Sequence, residues 1–429
     1  MMRRRITSLQ QQRNALYLII LGIYLASVTL QTTTFSDMIP HRVGVLVELA
    51  TLTALLGLVV CLDALTPTQI IFEVSLLVLV TVVTLTSGAH YLMPTIMLVI
   101  GAQHVSFRQI IQVYLGVVGT ILLLAWVAAE IGLIKNITFT TADGLRQSFG
   151  VVYTTDFAAH VFYLCAAYLY LLARRFRPVG LLPVLMGLGI IYQFTKTMTD
   201  VIALVILIGL YLLYIYRRQF RWFGPIIRYS FLMLPVASGM IIGLSNIFNY
   251  QDRLLITLNN ALSTRLALGN NALLAYGVKL FGQAPIPING WGGDRADSFT
   301  NGVGAVTYFF IDSSFLNMLI SYGLLLTLIL IVGMTWFLYQ RTRQHDYLLP
   351  VIFVAVVISS MFDQHFLEVT YNVFILILFA DLPNYRTAVG PEFDRPVVIQ
   401  RGRRVDESST GLSGSTVDLD HRPDVNSIR

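Results

Sequence analysis

The stretch DVIALVILIGLYLLYIYRRQFR, residues 200–221, decides the fold class. Sixteen consecutive positions hold only aliphatic residues, tyrosine, alanine and glycine, and then three arginines arrive within five residues. A helix needs about 20 mostly apolar residues to cross a hydrocarbon core, and arginines gather where a span meets the cytoplasm. The run does not alternate in polarity, as a barrel strand would. It reads as a membrane-crossing helix with an inward-facing arginine stop. The whole 429-residue chain has the same character, at 56% hydrophobic and only 12% charged residues. A soluble protein carries about 25% charged residues. Soluble-enzyme, disordered and collagen-like classes are thereby excluded, and an all-α polytopic membrane protein is expected.

Working outward, comparable runs predict about twelve spans: 15–31, 43–62, 69–87, 91–104, 110–131, 157–173, 179–195, 200–216, 227–248, 311–338, 347–362 and 368–382. The first follows Arg3, Arg4, Arg5 and Arg13 and shows no small-residue cleavage site, so an uncleaved anchor is expected. With the amino terminus inside and alternation thereafter, the clusters RRFR (174–177) and RRQFR (217–221) both fall inside, and an even count returns the carboxyl terminus to the cytoplasm. The net charge of +6 then reports orientation, and nucleic-acid binding is not expected. Cys61 and Cys165 lie within apolar runs, against a disulfide framework or a cysteine metal site.

The chain divides into a membrane domain, 1–383, and a polar tail, 384–429, expected to be a disordered cytoplasmic segment. Two outer loops stand out. One is of moderate length, 132–156. The other, 249–310, is the longest connection and lies between spans nine and ten. Its first part, LLITLNNALSTRLALGNNALLAYGVKLFG (254–282), has apolar residues at helical spacing and is too polar to span, so one or two amphipathic helices are expected. Its second part (283–304) is rich in Gly, Pro, Asn and Asp and reads as irregular, though it carries Trp291 and Phe299. A loop this long is usually functional or disordered.

Ionisable residues are expensive near hydrocarbon and raise a functional hypothesis. On the topology above, Glu130, Asp156, Lys196, Asp200, Asp312, Asp363, His365 and Glu368 all lie at or just beyond outer span ends. An ion-coupled transporter would carry its charges nearer the bilayer midplane. Among outer cations, Arg146 in GLRQSFGVVYTTDFAAH (144–160), Lys196 in YQFTKTMTD (192–200) and Arg265 in LSTRLALGNNAL (262–273) are candidates for binding phosphate oxygens. Each is equally compatible with a surface ion pair or a lipid headgroup contact. Asp312, in FFIDSSFLNMLISYGLLLTL (309–328), is a candidate general base, or else a helix N-terminal charge favoured by the macrodipole.

These stretches, in this order, resemble the Wzy-type polysaccharide polymerases of bacterial envelopes, within the O-antigen polymerase and ligase superfamily. The resemblance covers about 10–382. It rests on Arg146 with Phe149-Gly150 and Tyr153 to Asp156 before the sixth span, on the Thr-rich start of the eighth, on Arg265 with LFG at 280–282, and on Asp312, Ser313 and Gly323. Many relatives have Ser-Arg where this chain has Thr199-Asp200, with Lys196 nearby as the cation, and related ligases have a His where this chain has Asp312.

The resemblance implies a fold similar to GT-C-like glycosyltransferases and a place in the bacterial cytoplasmic membrane. It implies transfer of a growing chain from undecaprenyl pyrophosphate onto a sugar hydroxyl of a new lipid-linked repeat unit at the outer face, with neither nucleotide sugar, cofactor nor metal. Arg265, Arg146 and Lys196 would gather the pyrophosphate charge; Asp312, or failing it His365, would take the acceptor proton. Expected partners are the undecaprenyl-pyrophosphate-linked oligosaccharide, membrane lipid, a chain-length regulator and a flippase. The alternatives are a ligase of the same superfamily and a lipid-linked oligosaccharide flippase or transporter.

Overall fold

The computed structural model describes residues 2–287 and 309–382, apart from 64, 142–143, 174–175, 218 and 221, with side chains from residue 9 onward. The polar tail, most of the RRFR and RRQFR arginines, and the loop segment with Trp291 and Phe299 lie outside the described residues.

The protein is a helical, multi-pass membrane protein. Among the described residues, eight helices are long and apolar enough to cross a membrane. They lie within α1 (Met2–Gln31), α2 (His41–Leu62), α3 (Pro67–Ser87), α5 (Phe107–Glu130), α6 (Thr154–Leu172), the Pro178–Thr195 run containing α7 (Leu182–Ile190), α8 (Met198–Ile215) and α14 (Leu324–Arg343). Their outward faces expose large apolar side chains such as Leu46, Val60, Ile71 and Leu85, a surface that lipid covers and water would not tolerate. Local sequence sets the boundaries. The capping box of Thr66 and Gln69, with Pro67 in the first turn, opens α3, and left-handed Gly88 closes it.

Shorter apolar helices complete the bundle. In α4 (Leu92–Gly101) every residue but Met93 is buried, and α15 (Leu348–Ser360) is nearly as enclosed. A helix apolar all round belongs inside a protein, and one shielded by others need not match the bilayer's thickness. Between α8 and α15 come short α9 (Phe223–Ile227), α10 (Met233–Asn246), α11 (Arg253–Ala261), α12 (Arg265–Tyr276) and the single turn α13 (Ser314–Asn317). α11 and α12 occupy the 254–282 stretch read as amphipathic helix.

The structure departs from the sequence reading in three places. The 368–382 segment is not a helix of membrane length. It is a 3-10 turn at Val373–Leu378 whose residues 373–377 are buried, flanked by backbone that reaches Gln103 and Ser106 through Ala380 and Asp381. Side chains satisfy its polar backbone: Asn372 Nδ2 donates to Phe366 O at 2.8 Å, and the Tyr114 hydroxyl to Tyr371 O at 2.6 Å. Non-helical backbone is tolerated at that depth only where protein encloses it.

The 311–338 run is also broken. Gly323, with φ +94°, separates a turn at 314–322 from α14. Finally, the 132–156 loop carries an antiparallel hairpin, β1 (Thr138–Thr141) and β2 (Gly144–Gln147), with Phe139 opposite Arg146. This small hairpin sits within an otherwise helical, all-α architecture among the described residues.

Gly282 and Gly323 form a close crossing. A Cβ on either would collide with the backbone of the other segment. Leu324 N donates to Lys279 O at 2.9 Å and Gln283 N to Ser321 O at 3.2 Å, so the chain leaving α12 is stitched to the break before α14.

Candidate functional site

Arg265 opens α12 behind a tight corner. Ser263 and Thr264 have φ of 51° and 66°, a conformation non-glycine residues rarely adopt and that recurs where structure is held for function. Buried Asn259 fixes the corner, its carbonyl oxygens accepting from Thr264 N (2.8 Å) and Ala267 N (2.9 Å). Asp312 approaches from the other side of the sequence. The segment after it is tied down, since Ser314 N donates to Asp363 O at 3.1 Å and Ser314 Oγ accepts from Phe366 N at 3.1 Å. The Arg265 Nε lies 3.6 Å from Asp312 Oδ2, with side chains 12% and 22% exposed. That is too long for a hydrogen bond, and among the described residues this buried Nε–H has no acceptor. Burial pushes the Asp312 carboxyl up, and the Arg265 guanidinium only partly offsets this.

His365 is buried, 3% exposed, at the centre of a group of carboxylates. Its Nε2 is 3.3 Å from Asp363 and 3.7 Å from Asp156, and its Nδ1 is 3.3 Å from Glu368. Burial disfavours the charged imidazole, but Asp363, Glu368 and Asp156 together outweigh it and hold His365 well above the usual histidine range. For Asp363, burial and the neighbouring Asp156 push the carboxyl up despite the imidazolium beside it. Tyr371 stacks on His365 at 3.6 Å between centroids and, on its other face, on His160 at 3.9 Å. Asp200, in the first turn of α8, lies within electrostatic range of Asp363, Arg265, His365 and Asp156.

The hairpin delivers the other cations. Arg146 Nε donates to Thr195 O at 2.7 Å and its terminal nitrogen to Thr197 Oγ1 at 3.3 Å. Lys196, between them, takes a left-handed conformation with φ 52°, and its ammonium sits over Gly144, where an added Cβ would fall 2.5 Å from Nζ. Tyr153 lies within electrostatic range of Arg146, Asp156, Asp312 and Arg265. It joins the hairpin cations to the Arg265–Asp312 pair.

A cavity of about 1050 Å³ opens beside the histidine cage. Asp156, His365 and Glu368 form part of its wall; Arg265, Arg146, Lys196 and Asp312 do not line it. All five residues singled out from sequence thus lie in one charged region, divided between a cation side and a cavity side. Sequence reasoning placed Asp156, Asp363 and Glu368 at outer span ends but not around one histidine. It missed the Tyr371–His160 stack, for which a buried tyrosine in an apolar run gives no signal. Among the described residues, no group of three or more His, Cys, Asp or Glu side chains is arranged to hold a metal ion.

No family model, curated protein or solved structure matches this chain.

Proposed function

We propose that the chain is an integral-membrane glycosyltransferase that polymerises saccharide units carried on undecaprenyl pyrophosphate, at the outer face of the bacterial cytoplasmic membrane. The observation that carries this reading is the incomplete Arg265–Asp312 pair: a guanidinium with a buried, unsatisfied N–H beside a partly buried carboxylate, next to a large cavity. An anion oxygen entering there completes the bonding of Arg265. In this topology the chain crosses twelve times, the last time as non-helical backbone, and both termini are cytoplasmic. The contacts that support it pair the Arg13 end of α1 with Asp63 and Gln103, and the Thr32 end with His160. Those ends are about 28 Å apart along the helix.

The reaction forms a bond from an acceptor hydroxyl oxygen to the donor's anomeric carbon and breaks the bond from that carbon to the pyrophosphate oxygen, which leaves with the electron pair. Pyrophosphate leaves readily, so no acid is required to protonate it, unlike glycoside hydrolysis. Arg265 meets the charge that grows on the leaving group, and Arg146 and Lys196 extend the positive field. Asp312 accepts the acceptor proton. The arriving phosphate raises its proton affinity further, because like charges disfavour ionisation. His365 is already protonated in this reading and cannot serve as base; its charge orders Asp156, Asp363 and Glu368. A flippase would call for cations around the cavity, and among the described residues neither lysine nor arginine lines it.

The test is complementation of a deletion strain with Arg265→Ala, with surface polysaccharide run on a gel. Loss of one charge-stabilising group costs about 10²–10³ in rate, so single-repeat products are expected. Normal long chains overturn the reading.

A further inference from the structure

The cavity has a wall unlike the cation side. Its charged groups are the carboxylates Glu48, Asp156 and Glu368 with the imidazoles His41, His90 and His365; among the described residues it has no lysine or arginine. A pyrophosphate placed there meets the carboxylates Glu48, Asp156 and Glu368, with the His365 imidazolium already held by Asp156, Asp363 and Glu368, whereas at Arg265 it meets an unsatisfied donor. The two regions therefore sort a substrate into a phosphate part and a part without phosphate.

The wall is also built to hydrogen-bond something. Thr84, 8% exposed, lines the cavity with its Oγ1 unpaired among the described residues, and so does the Gln31 Nε2. Buried polar groups without partners are uncommon and costly, and a hydroxyl-bearing ligand satisfies both kinds. Beside them the Tyr91 and Tyr322 hydroxyls meet at 2.6 Å with rings edge to face. Asn317 Nδ2 donates to Tyr322 at 3.3 Å, and Ser321 Oγ donates to Asn317 Oδ1 at 2.8 Å. Aromatic faces, carboxylates that accept hydroxyl protons and a fixed amide form a surface suited to a sugar ring, which presents C–H faces and a rim of hydroxyls. The volume lies at the top of the range of about 300–1,000 Å³ for small-molecule pockets, with room for more than one ring.

We propose that this cavity is the acceptor-saccharide subsite, and that it takes hydroxyl- and amine-bearing sugars while rejecting carboxylate-bearing ones. The word acceptor rests on the glycosyltransferase reading above; the saccharide preference rests on the wall alone. A uronic acid would set its carboxylate against Glu48, Asp156 and Glu368, and like-charge contacts of that kind discriminate strongly.

The experiment is saturation-transfer NMR on the full chain in nanodiscs of uncharged lipid, with cellobiose, glucosamine and glucuronic acid as probes. Transfer to cellobiose and glucosamine is expected, with glucuronic acid weaker by about tenfold or more. Ala89→Trp, which fills the cavity, abolishes transfer. Thr84→Val weakens cellobiose roughly threefold, and Glu48→Lys raises the glucuronic acid signal; these two milder variants decide the matter if the tryptophan variant fails to fold. Absence of transfer from all three sugars, or transfer indifferent to these substitutions, overturns the subsite. Equal signals from glucuronic acid and cellobiose overturn the charge preference. Normal polymer from Arg265→Ala cells, with cavity-dependent cellobiose binding intact, sinks the polymerase reading alone and supports the saccharide site.

Discussion

Two arginine–aspartate pairs are made from the same groups and differ in how completely they are bonded. Arg13 and Asp63 form a closed fork, with Nε to Oδ1 at 2.9 Å and a terminal nitrogen to Oδ2 at 2.7 Å. The remaining terminal nitrogen donates to the Gln103 carbonyl, and both side chains are 2% exposed. Arg265 and Asp312 stand 3.6 Å apart, partly open, with an N–H unpaired. A saturated pair has no capacity left for a ligand and fastens the chain. An unsaturated one keeps binding capacity, and bonding geometry together with burial separates the two pairs. Arg341 and Asp346, at 2.6 Å and buried, belong with the fasteners.

The largest expected effect breaks the comparison most directly. Removing one partner of a buried pair leaves an uncompensated charge and costs about 3–5 kcal/mol. Asp63→Asn is therefore expected to strip most of the folded protein from the membrane, read as monodisperse yield and melting temperature in detergent. Asp312→Asn is expected to leave yield and melting nearly unchanged and to abolish polymer formation. If both variants lose folded protein alike, the distinction between closed and open pairs fails.

How much of this could be read from sequence follows the same division. The long apolar helices were legible because a lipid-facing span must be apolar over its full length. The 368–382 segment was misread because a fully buried run is apolar whether helical or not, and periodicity cannot separate the two. The break at Gly323 depends on its close approach to Gly282, a contact with residues 41 positions away. The charged residues gathered at this end of the bundle could be singled out because each is costly in its setting. Their pairing was not, because Arg265 meets Asp312 and Asp156 meets His365 only through the packing of separate helices.

The next effect sharpens the comparison on the cavity side through pH. His365 holds its proton more tightly folded than unfolded, because three carboxylates surround it. The stability it contributes is fully present below the ordinary histidine range, about 6.5. It is lost as pH rises through the elevated folded value, where Asp156, Asp363 and Glu368 are left without their cation. Melting temperature is expected to fall across that alkaline window in the wild type and to change less in His365→Gln, which starts lower at neutral pH. A wild-type profile as flat as the variant's would show that the imidazolium is not the fastener of this carboxylate group.

The smallest effect concerns how firmly the open side is held. Gly144 has φ +105°, and its missing Cβ makes room for the Lys196 ammonium. Gly144→Ala strains the hairpin turn by about 1–2 kcal/mol and displaces the lysine, while the Arg146 contacts to Thr195 and Thr197 stay within reach. A lysine attracts an anion as a point charge without fixed geometry, so on the proposed reading moving Lys196 by an ångström or so weakens attraction without removing a directed bond. Polymer length on a gel is expected to shorten modestly, far short of the single-repeat product of Arg265→Ala. The same modest shortening is expected of Lys196→Gln, which removes the charge and leaves the hairpin unstrained. If Gly144→Ala matched Arg265→Ala in severity while Lys196→Gln did not, the hairpin's backbone would be the essential part, and the field of its cations would matter little.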